Sequence, residues 1–296
     1  MRTAVAFLAL VAGLAFPPSS LAQTTEQTLY VSVLDPSGRP VGGLDVDDFI
    51  VREDGVSREV LRAGRTSDPI DLAIIVDNSF AAQPHILDIR KALTAFTSRM
   101  AGQNANIAII GMADRPTVLS EYTGSVEELK RGIQKIFAQP NSGMVFQDTI
   151  VETVRGLARR DNPRRAILVI TGEGRDFSNV PYENTLDTLE SSGIAFHVIQ
   201  LTSRTGAPIR DQEARERSIV IDQGTRATGG RRHDVLTSMA YADALSEVAE
   251  DLANQYKVVY GRSGALVPPK KVEVSVAKPG LTARGTLVRQ RAGGTK

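Results

Sequence analysis

The chain has 296 residues, of which 42% are hydrophobic, and its 35 basic and 34 acidic residues give a net charge of +1. A near-neutral balance supplies no bulk field for nucleic acid or an anionic membrane surface, so we expect neither as a partner. The absence of cysteine excludes disulfides, thiolate metal sites, cysteine nucleophiles and a cysteine-linked lipid anchor. The length and composition favour one sizeable core and a smaller one.

Residues 1–22 have the pattern of a secretory signal. Arg2 precedes an apolar run over residues 4–16, and Ser20 and Ala22 supply small residues for a cleavage site. The run is shorter than the ~20 residues that a membrane-spanning helix needs. We therefore predict cleavage before residue 23, export to the periplasm or the extracellular medium, and no stable membrane anchor.

Residues 23–67 are predicted to form a β-rich segment. Apolar residues at every second position of 29–33 indicate a strand, and turn-forming residues follow at 35–38. A second candidate hairpin turns at Asp54 and Gly55, a dipeptide that accepts the positive φ angles of a tight turn.

From residue 68 to residue 262, apolar runs alternate with stretches of helical period. The runs lie at 70–76, 106–112, 166–170 and 194–201, and helices are predicted at 85–100, from 125 onward, and at 147–159, 181–192 and 241–254. Such alternation implies right-handed crossovers and a mostly parallel sheet. The predicted fold class is α/β, a doubly wound, Rossmann-like sheet with helices on both faces. The charged stretch 202–217 is predicted to be a mobile loop.

Strands return toward the end of the chain, at 256–260 and within a C-terminal β segment, residues 263–296, where Val272, Val274 and Val276 alternate with polar residues. Because strand-rich pieces flank the α/β centre, we expect them to pair into a small β-sandwich-like module from which the α/β domain projects as an insertion. Two separate β-appendages are the alternative.

The sequence Asp77-Asn78-Ser79-Phe80-Ala81, directly after the first apolar run, resembles the first metal-binding segment of von Willebrand factor A (VWA) domains, which that family writes Asp-x-Ser-x-Ser. The order of further pieces, from Asp35-Pro36-Ser37-Gly38 to Lys278-Pro279-Gly280, is similar to VWA-related proteins of the acidobacterial type. The resemblance extends over most of the chain after the signal and implies a VWA fold.

The resemblance also implies a five-ligand site for a divalent cation, built from one Asp and two Ser of a first loop, a Thr of a second and an Asp of a third. Asp77 and Ser79 match this pattern, whereas Ala81, Met144 and Gly172 stand where the other three ligands belong. One carboxylate and one hydroxyl are a poor ligand set for Mg²⁺, which demands near-octahedral oxygen coordination.

We therefore expect a vestigial metal site and no cofactor. The alternative is that Glu173 or Asp176 reaches in from the third loop and restores a site for Mg²⁺ or Mn²⁺.

The function expected from these observations is that of an exported, non-catalytic protein–protein interaction module that works without a metal. The loops expected to contact the partner protein carry Asn78, Phe80, Val145, Phe146, Asp148, Glu173 and Asp176. The apolar trio 144–146 can be read equally as a core plug or as a contact surface.

Two other classes of function compete with this expectation. The first is a binder of adhesion type that depends on a divalent cation. The second is a hydrolase with Asp77 as nucleophile, but the phosphatases that place an aspartate there need Asp-x-Asp, and Ser79 occupies the position of the general acid. The histidines at 85, 197 and 233 are scattered, and a structural role is expected for each.

Overall fold

A computed structural model describes residues 25–202, 211–262 and 269–289. The predicted signal, residues 1–22, lies outside the described residues. No helix in these three ranges combines the length and the apolar character that crossing a membrane requires.

A six-stranded sheet forms the centre of the α/β unit, in the order β10-β9-β8-β5-β6-β7. All neighbouring strands are parallel except β7, which pairs antiparallel with β6 at one edge. Every residue of the central strands β5 and β8 is buried, because helices cover both faces of the sheet. The strands are β5 (Ile70–Val76), β6 (Ala105–Gly111), β7 (Thr117–Thr123), β8 (Arg164–Thr171), β9 (Ala195–Leu201) and β10 (Arg232–Val235).

Within the described ranges, six α-helices flank this sheet, and two separate apolar clusters line its faces. Side chains of α1, α2 and α6 form one cluster with the sheet, and side chains of α3, α4 and α5 form the other. This arrangement confirms the predicted doubly wound α/β class. The helices are α1 (Ile86–Ala101), α2 (Val126–Gln134), α3 (Phe146–Ala158), α4 (Tyr182–Ser192), α5 (Gln212–Thr228) and α6 (Tyr241–Ala253).

Two helix ends follow the local chemistry that the sequence indicated. Ser125 precedes α2, and its side chain accepts a hydrogen bond from the backbone N–H of Glu128, as an N-cap does. Gly193 ends α4 in the left-handed region, with φ of 67°, where a glycine is at no steric disadvantage.

The prediction of a loop over 202–217 is wrong from residue 212 onward. Helix α5 begins there and buries Arg217, Val220, Ile221 and Gly224, which recur at helical spacing. The charged residues between these positions made the stretch look loop-like, although a charged outer face is ordinary for a surface helix. Residues 203–210 lie outside the described ranges.

Two antiparallel sheets from the flanking segments pack face to face. One sheet has the strand order β13-β1-β11-β4, the other β12-β2-β3, and both contribute side chains to a third apolar cluster. The N- and C-terminal strands therefore form one sandwich-like module, as expected. Its strands are β1 (Thr25–Leu34), β2 (Phe49–Glu53), β3 (Val56–Arg58), β4 (Val60–Arg65), β11 (Tyr256–Arg262), β12 (Val272–Val276) and β13 (Thr282–Leu287).

The α/β unit is inserted between two paired strands of this module. The chain leaves the module after β4 and returns at β11, and these two strands pair antiparallel. Strand β11 falls within the predicted α/β segment 68–262, but it also pairs with β1 and therefore belongs to the β-module. A strand buried between two neighbours is as apolar as a strand of the parallel sheet, and composition alone does not distinguish them.

Polar contacts around the buried Arg164 and the half-buried Asp68 fix the two units to each other at the amino ends of β5 and β8. Arg164 donates to the backbone oxygens of Asp68 and Leu252 and to the side-chain oxygen of Gln255. Asp68 accepts from the hydroxyl of Tyr30 and from the ammonium of Lys257. The carboxyl ends of the parallel strands therefore point away from the β-module.

Candidate functional site

Three loops meet at the carboxyl ends of the central strands, where open α/β sheets bind their ligands. Val76 of β5 lies opposite Ile170 of β8 and Gly111 of β6, so these strands end at the same level. The first loop covers residues 77–81, the second loop precedes α3 at 139–145, and the third follows β8 at 172–178.

The first loop buries two oxygen atoms without partners. Asp77 is only 2% exposed, and its Oδ1 atom accepts a hydrogen bond from the backbone N–H of Ser79 at 2.9 Å. The Oδ2 atom of Asp77 and the Oγ atom of Ser79 are buried, and neither has a hydrogen-bond partner. Burial raises the pKa of the Asp77 carboxyl, and the hydrogen bond from the backbone N–H of Ser79 and the charge of Arg217 act against this rise.

Asn78, between these two residues, holds neighbouring loops together. Its Oδ1 atom accepts from the backbone N–H of Ala113, and its Nδ2 atom donates to the backbone oxygen of Phe137. The side chain lies over Gly111, where a Cβ atom would approach Asn78 Oδ1 to 2.7 Å. Asn78 is therefore a structural residue of the site.

Met144 fills the space between the second and third loops. Its backbone forms an isolated parallel bridge with Asp176, with hydrogen bonds from Met144 N to Arg175 O and from Phe177 N to Met144 O. Its side chain is fully buried, and the sulfur accepts from Thr171 Oγ1 at 3.6 Å and from Arg217 Nη1 at 3.5 Å. Of the two readings of the trio 144–146, the structure supports the core plug.

Arg217 of α5 places a buried cation beside these loops. Its Nη1 atom donates to the backbone oxygen of Gly174 at 2.9 Å and lies 3.9 Å from Asp176 Oδ2. Burial, the largest influence, lowers the pKa of the guanidinium, and the negative charges of Asp176 and Asp77 raise it. Arg217 was not among the predicted site residues, because residues 202–217 were predicted to form a loop. The signal that could have found it is the apolar spacing after position 217.

Two carboxylates that were predicted at the site support its loops. Asp176 Oδ1 accepts from the backbone N–H of Phe146, the first residue of α3, and from the hydroxyl of Ser178 at 2.7 Å. Asp148 accepts from the backbone N–H groups of Asn179 and Val180. Burial raises the pKa of Asp176 against the lowering effect of its hydrogen bonds and of Arg217.

The residues expected to contact a partner divide into two groups. Phe80 and Glu173 are exposed and Asp148 is half-buried. The other four are buried and cannot touch a partner in this conformation, because they pack between the loops: Asn78, Val145, Phe146 and Asp176.

The residues around Asp77 fit a divalent cation poorly. A Cβ atom placed on Gly174 would lie 3.2 Å from Ala81 Cβ, 2.9 Å from Met144 Cε and 3.3 Å from Ser79 Oγ. These three atoms therefore lie close together. A hard cation prefers oxygen ligands, whereas a methyl group, a thioether and the guanidinium of Arg217 surround this position. Asp176, one of the two proposed substitute ligands, already faces Arg217.

A cavity of about 350 Å³ opens beside Asp77. The first loop, the third loop and the segment between β10 and α6 line it. Its polar lining includes Asp77, His85, Glu173, Ser238 and Tyr241. Of the three histidines, His85 is thus near the site, whereas His197 and His233 are buried on β9 and β10.

Exposed apolar side chains surround this end of the sheet. Among the described residues, eight large hydrophobic side chains are exposed, and six of them lie in the loops and helix starts at the carboxyl edge, which indicates a contact surface. These six side chains, here called the apolar rim, are Phe80, Leu87, Phe137, Phe177, Leu236 and Met239.

Comparison with known proteins shows the fold. The chain is similar to the PilB minor pilin from Streptococcus sanguinis, with 11% identity over 64% of this chain and 62% of the pilin and a TM-score of 0.50. It is also similar to proximal thread matrix protein 1 from the mussel byssus, with 12% identity over 64% of this chain and 50% of that protein and a TM-score of 0.50.

The matches to these two proteins cover less than two thirds of either one. A further match is the vWF domain of the type V pili tip protein Mfa5 from Porphyromonas gingivalis, with 12% identity over 63% of this chain and 96% of that domain and a TM-score of 0.49. No protein-family model matches the chain, and no curated protein matches it. The α/β unit of this chain has a fold of the von Willebrand factor A type.

Proposed function

We propose that this protein is an exported, non-catalytic module that binds another protein through the apolar rim and works without a divalent cation. The concentration of exposed apolar side chains at the ligand-binding edge of the sheet carries the proposal. A concentration of exposed apolar side chains at one edge of a domain is a recognised mark of protein–protein contact.

Three rim residues already form a shallow groove. Phe80, Leu87 and Phe137 line one depression together with Arg90, whose guanidinium lies 4.2 Å from the centre of the Phe137 ring. Aromatic side chains and arginine are the residue types that contribute most at protein interfaces. The groove therefore offers anchoring side chains of the right chemistry.

Arg217 and Met144 support metal independence. The guanidinium faces Asp176 directly and acts on Asp77 at longer range, and Met144 occupies the space between the loops with a soft sulfur. In this arrangement a divalent cation is not needed to hold the three loops together.

The single observation that favours a cation-dependent binder is the pair of buried oxygens without partners, Asp77 Oδ2 and Ser79 Oγ. Two oxygens can start a coordination sphere but do not complete one for Mg²⁺. We therefore keep this function as the second candidate.

The surroundings of Asp77 support the proposed non-catalytic role. Within the described ranges, no three side chains of His, Cys, Asp or Glu are grouped as a metal-dependent hydrolase would require. Ser79 lies beside Asp77, at the position where a phosphatase with an Asp-x-Asp motif has its general acid.

Export is proposed from the first 22 residues. Similar folds occur in proteins named as a minor pilin and a thread matrix protein, which agrees with a role outside the cytoplasm. The periplasm and the extracellular medium both suit the chain.

Affinity capture from extracts of the source cells, carried out in parallel with Mg²⁺ and with EDTA, tests this function. The bait proteins are the wild type, the variant Phe80→Ser/Phe177→Ser and the control Val56→Ser. Val56, on β3 of the β-module, is 57% exposed, which is close to 53% for Phe80 and 52% for Phe177. We expect a protein that the wild type and the control retain in EDTA and that the rim variant loses.

Retention by the rim variant would contradict the proposed surface. Loss of the captured protein from the wild type on addition of EDTA would instead favour the cation-dependent candidate.

A further inference from the structure

The cavity beside Asp77 has an acidic floor, and this feature points to the chemistry of the partner. Asp77 and Glu173 contribute to its lining, and Asp77 Oδ2 is buried without a hydrogen-bond partner. A buried acceptor left unpaired costs free energy, which a donor from a ligand would recover.

Charge in the cavity is one-sided. No lysine or arginine of the described residues lines it, and His85 is its one titratable basic side chain. The nearest buried cation, Arg217, contacts Gly174 O and Asp176 from outside the cavity lining. Asp88 lies close by, where it accepts from the hydroxyl of the lining residue Ser238. Arg217 supplies one positive charge against the three carboxylates of Asp77, Glu173 and Asp176, so the cavity remains complementary to a further positive charge.

The walls suit an aliphatic stem. Ile89, Ile170, Leu201 and Leu236 line the cavity between its polar groups. The volume of about 350 Å³ lies at the lower end of the ~300–1,000 Å³ range of small-ligand sites, so it holds a side chain more readily than a cofactor. Lysine and arginine bury their methylene stems against apolar surface and place the charge at the tip.

We propose that this cavity receives a lysine or arginine side chain of the partner protein, whose N–H groups donate to Asp77 Oδ2 while its stem packs on the aliphatic wall. This inference rests on the proposed function and adds the residue type that the partner presents. The surrounding apolar rim then contacts the residues that flank the basic side chain. Charge-assisted hydrogen bonds to a buried carboxylate are stronger than neutral ones, so the basic residue would be the specific contact.

Short peptides test the cavity without knowledge of the partner. The probes are N-acetyl-Leu-Lys-Leu amide, its arginine analogue, and matched peptides with norleucine or glutamate in the centre. Binding is followed by NMR through the backbone amides of Gly172 and Gly174, both of which line the cavity. We expect saturable shifts with the lysine or arginine peptide and at least about tenfold weaker binding of the norleucine peptide.

Variants assign the effect to the carboxylates. Asp77→Asn keeps the acceptor for Ser79 N and removes the charge, and Glu173→Gln removes the second charge from an exposed position. We expect each variant to weaken the lysine peptide by about tenfold or more. Asp187→Asn, an exposed change on α4, is the control and should leave binding unchanged. If Asp77→Asn does not fold, Glu173→Gln still decides the question.

Equal binding of the lysine and norleucine peptides, or no saturable binding of any basic peptide at millimolar concentration, would overturn the inference. The proposed function fails separately, since it depends on the rim variant in the capture experiment. A protein that is captured through the rim and binds the Asp77→Asn and Glu173→Gln variants as well as the wild type would support the proposed function. The same result would contradict the inference that the cavity receives a basic side chain.

Discussion

Arg217 Nη1 lies 3.9 Å from Asp176 Oδ2, and both side chains are almost completely excluded from solvent. This pair joins helix α5 to the third loop of the site, beside Asp77. A buried carboxylate needs a compensating charge, because transfer from water to the protein interior is costly for an ion. The positive charge at this end of the sheet thus comes from a side chain of the protein itself.

Arg217→Met is expected to destabilise the protein by about 3 kcal/mol, because it leaves Asp176 and Asp77 buried without their cation. The free energy of unfolding in urea measures the effect. Arg215→Met, an exposed change two residues earlier on α5, should change stability by less than about 0.5 kcal/mol. Equal stability of the two variants would show that Arg217 does not compensate these carboxylates.

Gly229→Ala is expected to destabilise the contact between the α/β unit and the β-module by about 2 kcal/mol or more. Gly229 has φ of 77°, and a Cβ there would lie 2.4 Å from the backbone oxygen of Gly285 in β13. Gly156→Ala is the matched control, since its Cβ would meet nothing within 4 Å inside α3. The control should be neutral or stabilising by up to about 1 kcal/mol in the same unfolding assay.

His197 is expected to make the protein less stable as the pH falls below about 6.5. Burial, followed by the charges of Arg284, His233 and Arg231, lowers the pKa of His197 to about 3. Between these two values the unfolded chain binds one more proton than the folded chain. The contribution of neutral His197 to the unfolding free energy is therefore fully present above pH ~6.5 and is lost toward pH 3, by about 1.4 kcal/mol for each pH unit.

The comparison of wild type with His197→Leu between pH 7 and pH ~5 isolates this effect from the other titrating groups. Burial raises the pKa values of three carboxyl groups, those of Asp77, Asp176 and Asp251, so their protonation increases the unfolding free energy as the pH falls. They do so in both proteins, and the comparison removes their contribution. The variant should show the smaller fall in unfolding free energy as the solution is acidified. A wild type and variant with parallel pH profiles would refute the assignment.

The fold could be predicted from the sequence largely because buried parallel strands and amphipathic helices leave distinct periodicities. The run Ile70–Val76 is apolar without interruption, and Gly193 ends its helix as its residue type indicates. The sequence predicted that the flanking strands pair, but not that β11 lies between β1 and β4, because this order depends on strands far apart in sequence rather than on local pattern.

The candidate site was predictable only at the first loop. Asp77 and Ser79 stand where the resemblance places them, and both are buried there. The direction in which a loop side chain points is set by tertiary contacts, which is why Phe146 and Asp176 are buried although the sequence suggested contact residues. Arg217 reaches the site from another element, and no motif links it to Asp77.

Calorimetric titration of the wild-type protein with Mg²⁺ and with Mn²⁺ tests metal independence most directly. The triple variant Ala81→Ser/Met144→Thr/Gly172→Asp serves as a reference for a restored site, since a Cβ at Gly172 would lie 4.0 Å from Asp77 Oδ2 and meet no other atom as close. We expect no saturable heat from the wild type and a gain of binding in the triple variant. Micromolar binding of either ion by the wild type, abolished by Asp77→Asn, would contradict the claim that the site works without a metal ion and relies on the charge of Arg217.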